Sequence, residues 1–471
     1  SPTVKGSLSI SSGFAVHLVL GSVYSFGLLS PYLMSYLKQY HDSVLIDDGF
    51  FLLPLGIAST CFTISFGGIL EKKYGPRLPL LIGSAIIITG YVVNYFSKLI
   101  LINYLCLFLI GVGTGFCYFP SIRTSWHYFP KIKGFIVGFI VCAFGLSSAI
   151  LTWIVKAMIN PDNIKANEEG FYPSEVYDNI PGYHIFLIIA FGVLCFLSIV
   201  LVQPFVPEDN EQTQGLTNTN SYEVTTDEED YTEGNDVEIS ESKQGINNKN
   251  SKSGHSKKKV NLRKAIFSKQ NFIFFLLALC NYYFPVAILN TFKTFTNNYK
   301  EDLGSDFVFT CMFILYLGNG IFRSVWGYLY DYFGFRKLMM INSSLVIVTS
   351  ASFYFIIKIK ALLIIYLIVI SALAGSPFTL VPAGVQTVFG VKHAPEVYGG
   401  AFYAFGVSAF IVPILSKILD LAHSDNTTPY MIIYIAGSLL GVIALLLTIF
   451  MDMSPYEFEE IEVPEKENTK K

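Results

Sequence analysis

Charge is what this chain has least of. Only 14% of its 471 residues are Asp, Glu, Lys or Arg, where a soluble protein carries about 25%. That shortage excludes an ordinary water-exposed globule and leaves no basic face for nucleic acid. The seven cysteines (Cys61, Cys106, Cys117, Cys142, Cys195, Cys280 and Cys311) stand singly inside apolar runs and form no CxxC pair. They read as small packing residues, not as metal ligands or disulfides. Gly111, Gly113 and Gly115 have no GK[ST] after them and no strand before them, so they are not a phosphate loop. No nucleophile–base constellation, metal cluster or nucleotide motif occurs. Neither an enzyme nor a cofactor is expected. The first apolar run begins at about Leu8 and is too long for the h-region of a secretory signal.

What the chain has in abundance is apolar sequence: 52% hydrophobic and 15% aromatic residues. The runs are continuous rather than alternating, which excludes a β-barrel. Many are long enough to cross a hydrocarbon core of about 30 Å. Twelve spans are expected, at approximately 8–36, 49–70, 78–96, 100–124, 134–158, 183–205, 270–295, 306–330, 338–357, 361–389, 398–420 and 430–451. The fold class is an all-α polytopic membrane protein with two six-helix halves. Residues 1–207 form the first half and 265–453 the second. Residues 208–264 are a polar, disordered linker, acidic from Glu223 to Glu241 and basic from Lys249 to Lys264. A charged tail follows at 454–471. Lys72, Lys73, Arg77, Lys131, Lys133, Arg336 and Lys337 share one side with the basic end of the linker, which puts both termini in the cytosol or its equivalent. The membrane is that of the cell or of an organelle.

The halves repeat one another. FGGILEKKYGPR at Phe66–Arg77 is matched by the end of GNGIFRSVWGYLYDYFGFRK at Gly318–Lys337. Gly68, Gly75 and Arg77 align with Gly327, Gly334 and Arg336 at a constant offset. AFGLSSAI from Ala143 recurs as AFGVSAFI from Ala404. Tyr24 and Tyr283 also fall at nearly the same offset. Parallel repeats of this kind place a substrate near the midplane, between halves that rock around it. Arg323 breaks the repeat, because Ile64 stands at its counterpart.

Two six-span halves, a long central loop and duplicated Gly-x-x-x-[DE]-x-x-Gly-x-Arg turns resemble the major facilitator superfamily. The resemblance implies that the turns latch the cytoplasmic face, with Gly68, Glu71, Gly75 and Arg77 in one copy and Gly327, Asp331, Gly334 and Arg336 in the other. Glu71 and Asp331 are taken as the acids of the two copies. LGSVYSFGLLSPYL (Leu20–Leu33), GVGTGFCYFP with HYFPKIKGFIVG (Gly111–Gly138), and Asn319–Arg336 are similar to the oxalate:formate antiporter-like and monocarboxylate transporter group. That implies a small monocarboxylate (formate, lactate or pyruvate) moved by proton symport or anion exchange. Two positions depart from the group. Phe405 stands where the antiporters have a lysine, and Asn319 where many monocarboxylate transporters have an aspartate. A carrier of a neutral or cationic solute, drugs included, and a non-transporting sensor stay open as alternatives.

Arg323 lies eight residues before Asp331, about 12 Å into the membrane at 1.5 Å per residue. A charge at that depth turns to the bundle interior or to a wet cavity. Its planar fork fits a carboxylate; the other reading is an arginine tied to carbonyls. His17, near the middle of span 1, either meets the substrate, carries a proton, or bonds a neighbouring helix. Tyr24, Tyr283 and Tyr118 either orient a carboxylate or simply pack. Asn319, one turn from Arg323, orients it or bonds between helices. No Asp or Glu occupies the centre of a span.

Overall fold

The structure, a computed structural model, describes residues 2–129, 132–167, 169–204, 259–297, 299, 303–422 and 427–458. Most of the expected linker, residues 205–258, lies outside the described residues. The stretch just after it is structured, although the linker was expected to run to Lys264. Lys259–Val260 is a short strand and Leu262–Ile266 a helical turn capped by Asn261.

Apolar runs become helices because a lipid-facing backbone has no water to bond and must satisfy itself. Span 1 is Pro2–Leu20, a 3₁₀ turn at Gly21–Ser25, and Phe26–Lys38. Spans 2 to 6 are Leu52–Tyr74, Arg77–Phe96, Ile100–Tyr128, Lys133–Met158 and Ile180–Leu201. Span 7 is Lys269–Asn297. Spans 8 and 9 run together as Ser305–Ile356, broken at Gly334 (φ 71°, ψ 173°). Spans 10 and 11 run together as Lys360–Ala422, broken at Gly390. Span 12 is Thr428–Phe450. Eleven described helices are long and apolar enough to span a membrane, and the one at Asp306–Ile356, at 51 residues, holds two spans. The expected twelve are accounted for.

Burial sorts the spans into centre and rim. Of an apolar 18-residue stretch in each, 78% is buried in span 1 and 72% in span 7, against 28% in span 6 and 33% in span 12. Phe196, Leu439 and Phe450 stand exposed on the rim, where lipid, not water, is the solvent. Such bundles have little hydrophobic drive between helices, so close contact rests on small residues. The seam between spans 5 and 8 shows this best. A Cβ on Gly138 would lie 2.4 Å from the Arg323 carbonyl oxygen, and one on Gly145 would lie 2.4 Å from the Gly320 Cα. Spans 2 and 11 make the matching seam, with Phe62 and Tyr403 rings 5.3 Å apart.

The tail is partly docked as well. Glu457–Phe458 pairs in parallel with Lys259–Val260. Tyr456 donates its N–H to the Val388 carbonyl at 2.8 Å and stacks on Phe389 at the end of span 10.

Candidate functional site

Arg323 is fully buried on span 8 and heads the largest fully buried side chains among the described residues. Its Nε and Nη2 both donate to Asn319 Oδ1 at 3.3 Å, and its Nη1 donates to the Val141 carbonyl at 3.3 Å. Strong charge-assisted bonds are about 2.7–2.9 Å, so this guanidinium is held loosely. Its faces are covered by aromatic rings: the guanidinium carbon lies 4.4 Å from the Phe378 centroid and 5.3 Å from that of Phe144. Among the described residues no carboxylate pairs with it. Desolvating such a charge costs several kcal/mol. Cation–π contact returns up to about 2 kcal/mol for a desolvated cation. The balance is a site of positive potential, in low dielectric, that an anion would complete.

The surrounding walls come from both halves. Phe144 on span 5 and Phe405 on span 11 are the aromatic residues of the repeated AFG segments. Phe144 touches the guanidinium directly; Phe405 stacks on Phe378 with centroids 4.5 Å apart. The position where the antiporter-like group has a lysine is therefore an apolar backing for the ring under Arg323. Phe402 packs on Phe405 at 4.7 Å and on Tyr118 at 5.4 Å.

Tyr24 and Tyr282 share a hydroxyl–hydroxyl hydrogen bond of 2.7 Å between spans 1 and 7, and the Tyr24 hydroxyl also interacts with Arg323. Tyr283, the residue at the repeat offset from Tyr24, is buried with an unpartnered hydroxyl and takes no part in this cluster. The physical reason is the 3₁₀ turn at Gly21–Ser25. Each 3₁₀ residue rotates about 20° more than an α residue, so a few of them shift Tyr24 by most of one position relative to regular span 7. Tyr282, not Tyr283, then meets it.

His17 is fully buried. Its Nδ1 lies 2.8 Å from the Gly13 carbonyl. A carbonyl only accepts, so the proton is on Nδ1 and Nε2 is the open acceptor; Nε2 has no protein partner. The His17 ring lies 5.1 Å from that of Tyr118. The hydroxyls of Tyr118 and Tyr398 are likewise buried without a partner. Buried polar atoms are nearly always satisfied, so these three unpartnered atoms and Arg323 form the polar part of an otherwise aromatic site. Tyr398 and Tyr282 were not legible as site residues. Phe144 and Phe405 stand in the repeated AFG segments, but the repeat alone does not mark them as site residues.

The two Gly-acid-Gly-Arg turns lie together on one face. Gly75 and Gly334 end their helices at φ 82° and 71°, a region closed to most side chains. Asp331 accepts from the Gly134 N–H at 3.1 Å and the Phe135 N–H at 3.0 Å. It thereby caps the first turn of span 5, in the other half, where backbone N–H groups lack helical partners. A Cβ on Gly327 would lie 2.2 Å from the Gly134 carbonyl, so the cap needs that glycine. Arg336 donates to the Met451 carbonyl. Gly68 is buried within span 2 and Arg77 is exposed.

The first turn departs from the reading that paired Glu71 with Asp331. Counted back from the terminal glycines, Asp331 and Lys72 hold the same place. Lys72 is the residue that crosses to the other half, pairing with Glu396 of span 11 at 3.0 Å. Glu71, one residue earlier and about 100° round the helix, pairs with Arg123 of its own half at 3.6 Å.

Twelve membrane spans in two repeated halves, seamed around a cation that is buried without a carboxylate partner among the described residues, are the architecture of a membrane transporter rather than an enzyme. The family model described as Major Facilitator Superfamily matches residues 183–413 and 296–469, more than half of the chain, and the chain belongs to that family. It is similar to Apicoplast pyruvate carrier 1 of Toxoplasma gondii, 23% identical over an alignment of 216 residues that covers 37% of this chain and 39% of that protein. It is also similar to the Oxalate:formate antiporter of Oxalobacter formigenes, 25% identical over 123 residues, 24% of this chain and 29% of that one. These alignments span less than half the length of the curated relatives. Among solved structures, the proton:xylose symporter XylE bound to 6-bromo-6-deoxy-D-glucose superposes with a TM-score of 0.56 at 15% identity, covering 95% of this chain and 94% of that one. That likeness speaks for the fold alone.

Proposed function

We propose that the chain carries a small monocarboxylate of the formate, lactate or pyruvate kind, by alternating access between its two halves. The observation that carries this reading is Arg323: buried, loosely held, walled by Phe144 and Phe378, and without a carboxylate of its own. A carboxylate on that fork gains what the protein withholds, two parallel N–H donors in low dielectric. Phe405 in place of a second cation favours a monoanion. The names of the pyruvate carrier and the oxalate:formate antiporter support a carboxylate substrate.

Asn319 orients the guanidinium, and the hydroxyls of Tyr24 and Tyr118 meet the substrate. His17 Nε2, an open acceptor in the wall of this site, takes the proton if one is carried. That arrangement suits proton symport; exchange of one anion for another needs only Arg323. The turn face is cytosolic or its equivalent, and Asp331 with Lys72–Glu396 latches it shut while the substrate site faces the other way.

The test is uptake of a labelled monocarboxylate panel into proteoliposomes, with Arg323→Ala beside the wild type. Saturable uptake of at least one monocarboxylate, lost in the variant, is expected. No organic-anion uptake, or an unaffected variant, overturns the reading.

A further inference from the structure

Arg323 is sealed off from a second polar cavity, at the face opposite the turns. This cavity has a volume of about 250 Å³ and is lined from both halves. On that volume measure a single water needs only about 10–15 Å³, so a small hydrated anion fits. Its polar lining is Ser30 of span 1, Asp47 before span 2, Asn290 and Lys293 of span 7, and Ser416 and Lys417 of span 11. Two lysines against one aspartate leave it net positive. The Asn290 Nδ2 is buried and donates to no protein acceptor.

The setting makes those lysines specific. Loops of the same face carry Asp42, Asp48, Glu175 and Asp178, so the positive charge is not the overflow of a basic surface. Lysines of that face lie over aromatic rings, Lys38 over Phe171, Lys98 over Tyr40 and Lys293 itself over Tyr32 at 5.8 Å, a contact that leaves the charge in place. The cavity floor is apolar, with Leu53, Leu289 and Met312. A Cβ on the lining residue Gly27 would lie 3.8 Å from the Tyr316 hydroxyl, and Tyr24, three residues earlier on span 1, pairs with Tyr282 and interacts with Arg323.

We propose that this cavity is an entry site that holds a small carboxylate before it reaches Arg323. Lys293 and Lys417 take the anion, the Asn290 amide donates to it, and the Tyr24–Tyr282 pair is the door it must pass. The inference rests on the monocarboxylate reading for the identity of the anion, but its electrostatic core can be measured without transport. The seven native cysteines are buried, so a Ser416→Cys variant gives one reactive thiol in the cavity. Its modification rates are compared for a sulfonate-bearing and a trimethylammonium-bearing methanethiosulfonate. The anionic reagent is expected to react faster. Lys293→Gln with Lys417→Gln should cut the anionic-to-cationic ratio about tenfold, as two unit charges a few ångströms away would at surface-like dielectric. Millimolar pyruvate should slow modification only when the lysines are present.

A ratio indifferent to both lysines, or equal protection by pyruvate with and without them, overturns the entry site. It does so even if Arg323→Ala abolishes uptake and the carrier reading stands. A lysine-dependent ratio with pyruvate protection, beside uptake indifferent to Arg323, supports the cavity and rejects the central reading.

Discussion

The two halves of this molecule share the glycines of their turns but not the charges around them. Gly75 and Gly334 end their helices alike, and close glycine contacts seam both pairs of facing spans. Yet Arg323 of the second half corresponds to buried, apolar Ile64 of the first, and Asp331 corresponds to Lys72. Glycines fix how closely backbones approach, and a change there disturbs the whole bundle. Charges decide what each copy holds, so they were free to diverge. On the proposed reading the second half supplies the cation that meets the substrate, the first half supplies His17, and both supply aromatic wall.

The comparison breaks most sharply at Arg323. Arg323→Gln should lower kcat/KM for a monocarboxylate by at least about 100-fold, because a hydrogen-bonded charge partner is worth roughly 3 kcal/mol or more when buried. Ile64→Arg, the reciprocal change, should fail to restore it. Uptake by the single and double variants, at matched protein per liposome, checks both. The next effect is at the turn of the second half. Asp331→Asn removes a charged cap worth about 0.5–2 kcal/mol. It should raise the labelling rate of a cysteine at Phe135 from the turn face by roughly 2- to 30-fold. Unchanged labelling would show that the cap does not hold that face closed.

A smaller effect is expected at the tyrosine pair. Tyr24→Phe and Tyr282→Phe each lose one hydrogen bond, about 0.5–1.5 kcal/mol, and the double variant should cost little more than either single one. Additive losses in KM would contradict a shared bond. Tyr283→Phe should be silent. The smallest effect belongs to the turn of the first half, because Lys72 is 43% exposed and exposed pairs are worth about 0.2–1 kcal/mol. Lys72→Glu should slow transport by a few-fold, and Lys72→Glu with Glu396→Lys should recover it. Failure of the swap to recover would mean the two residues do not act as a pair.

The spans were readable because lipid thickness sets their length and composition leaves no other solvent for them. Arg323 was readable because a charge in an apolar run has few explanations. Its neighbours were harder. Repeat arithmetic pointed to Tyr283, and only the 3₁₀ turn in span 1, which no residue pattern announced, moves the contact to Tyr282. Similarly, Glu71 looked like the acid of the first turn, since family motifs align by residue type. The helix aligns by rotation, and one residue is about 100°. Tyr398 gave no signal among so many tyrosines; its orphaned hydroxyl is a property of packing. Phe144 and Phe405 were visible in the repeat, but Phe144 meets Arg323 directly whereas Phe405 backs it only through Phe378, on a third helix.

The central claim is that Arg323 is the seat of the substrate carboxylate. Equilibrium binding of labelled pyruvate and lactate to the purified protein, wild type against Arg323→Gln, tests it without the complications of flux. The account predicts saturable binding that competes with other monocarboxylates but not with their neutral amides, and that the variant loses while keeping the wild-type thermal midpoint within a few degrees. Binding of equal affinity in a folded Arg323→Gln variant, or equal competition by the amides, would contradict it.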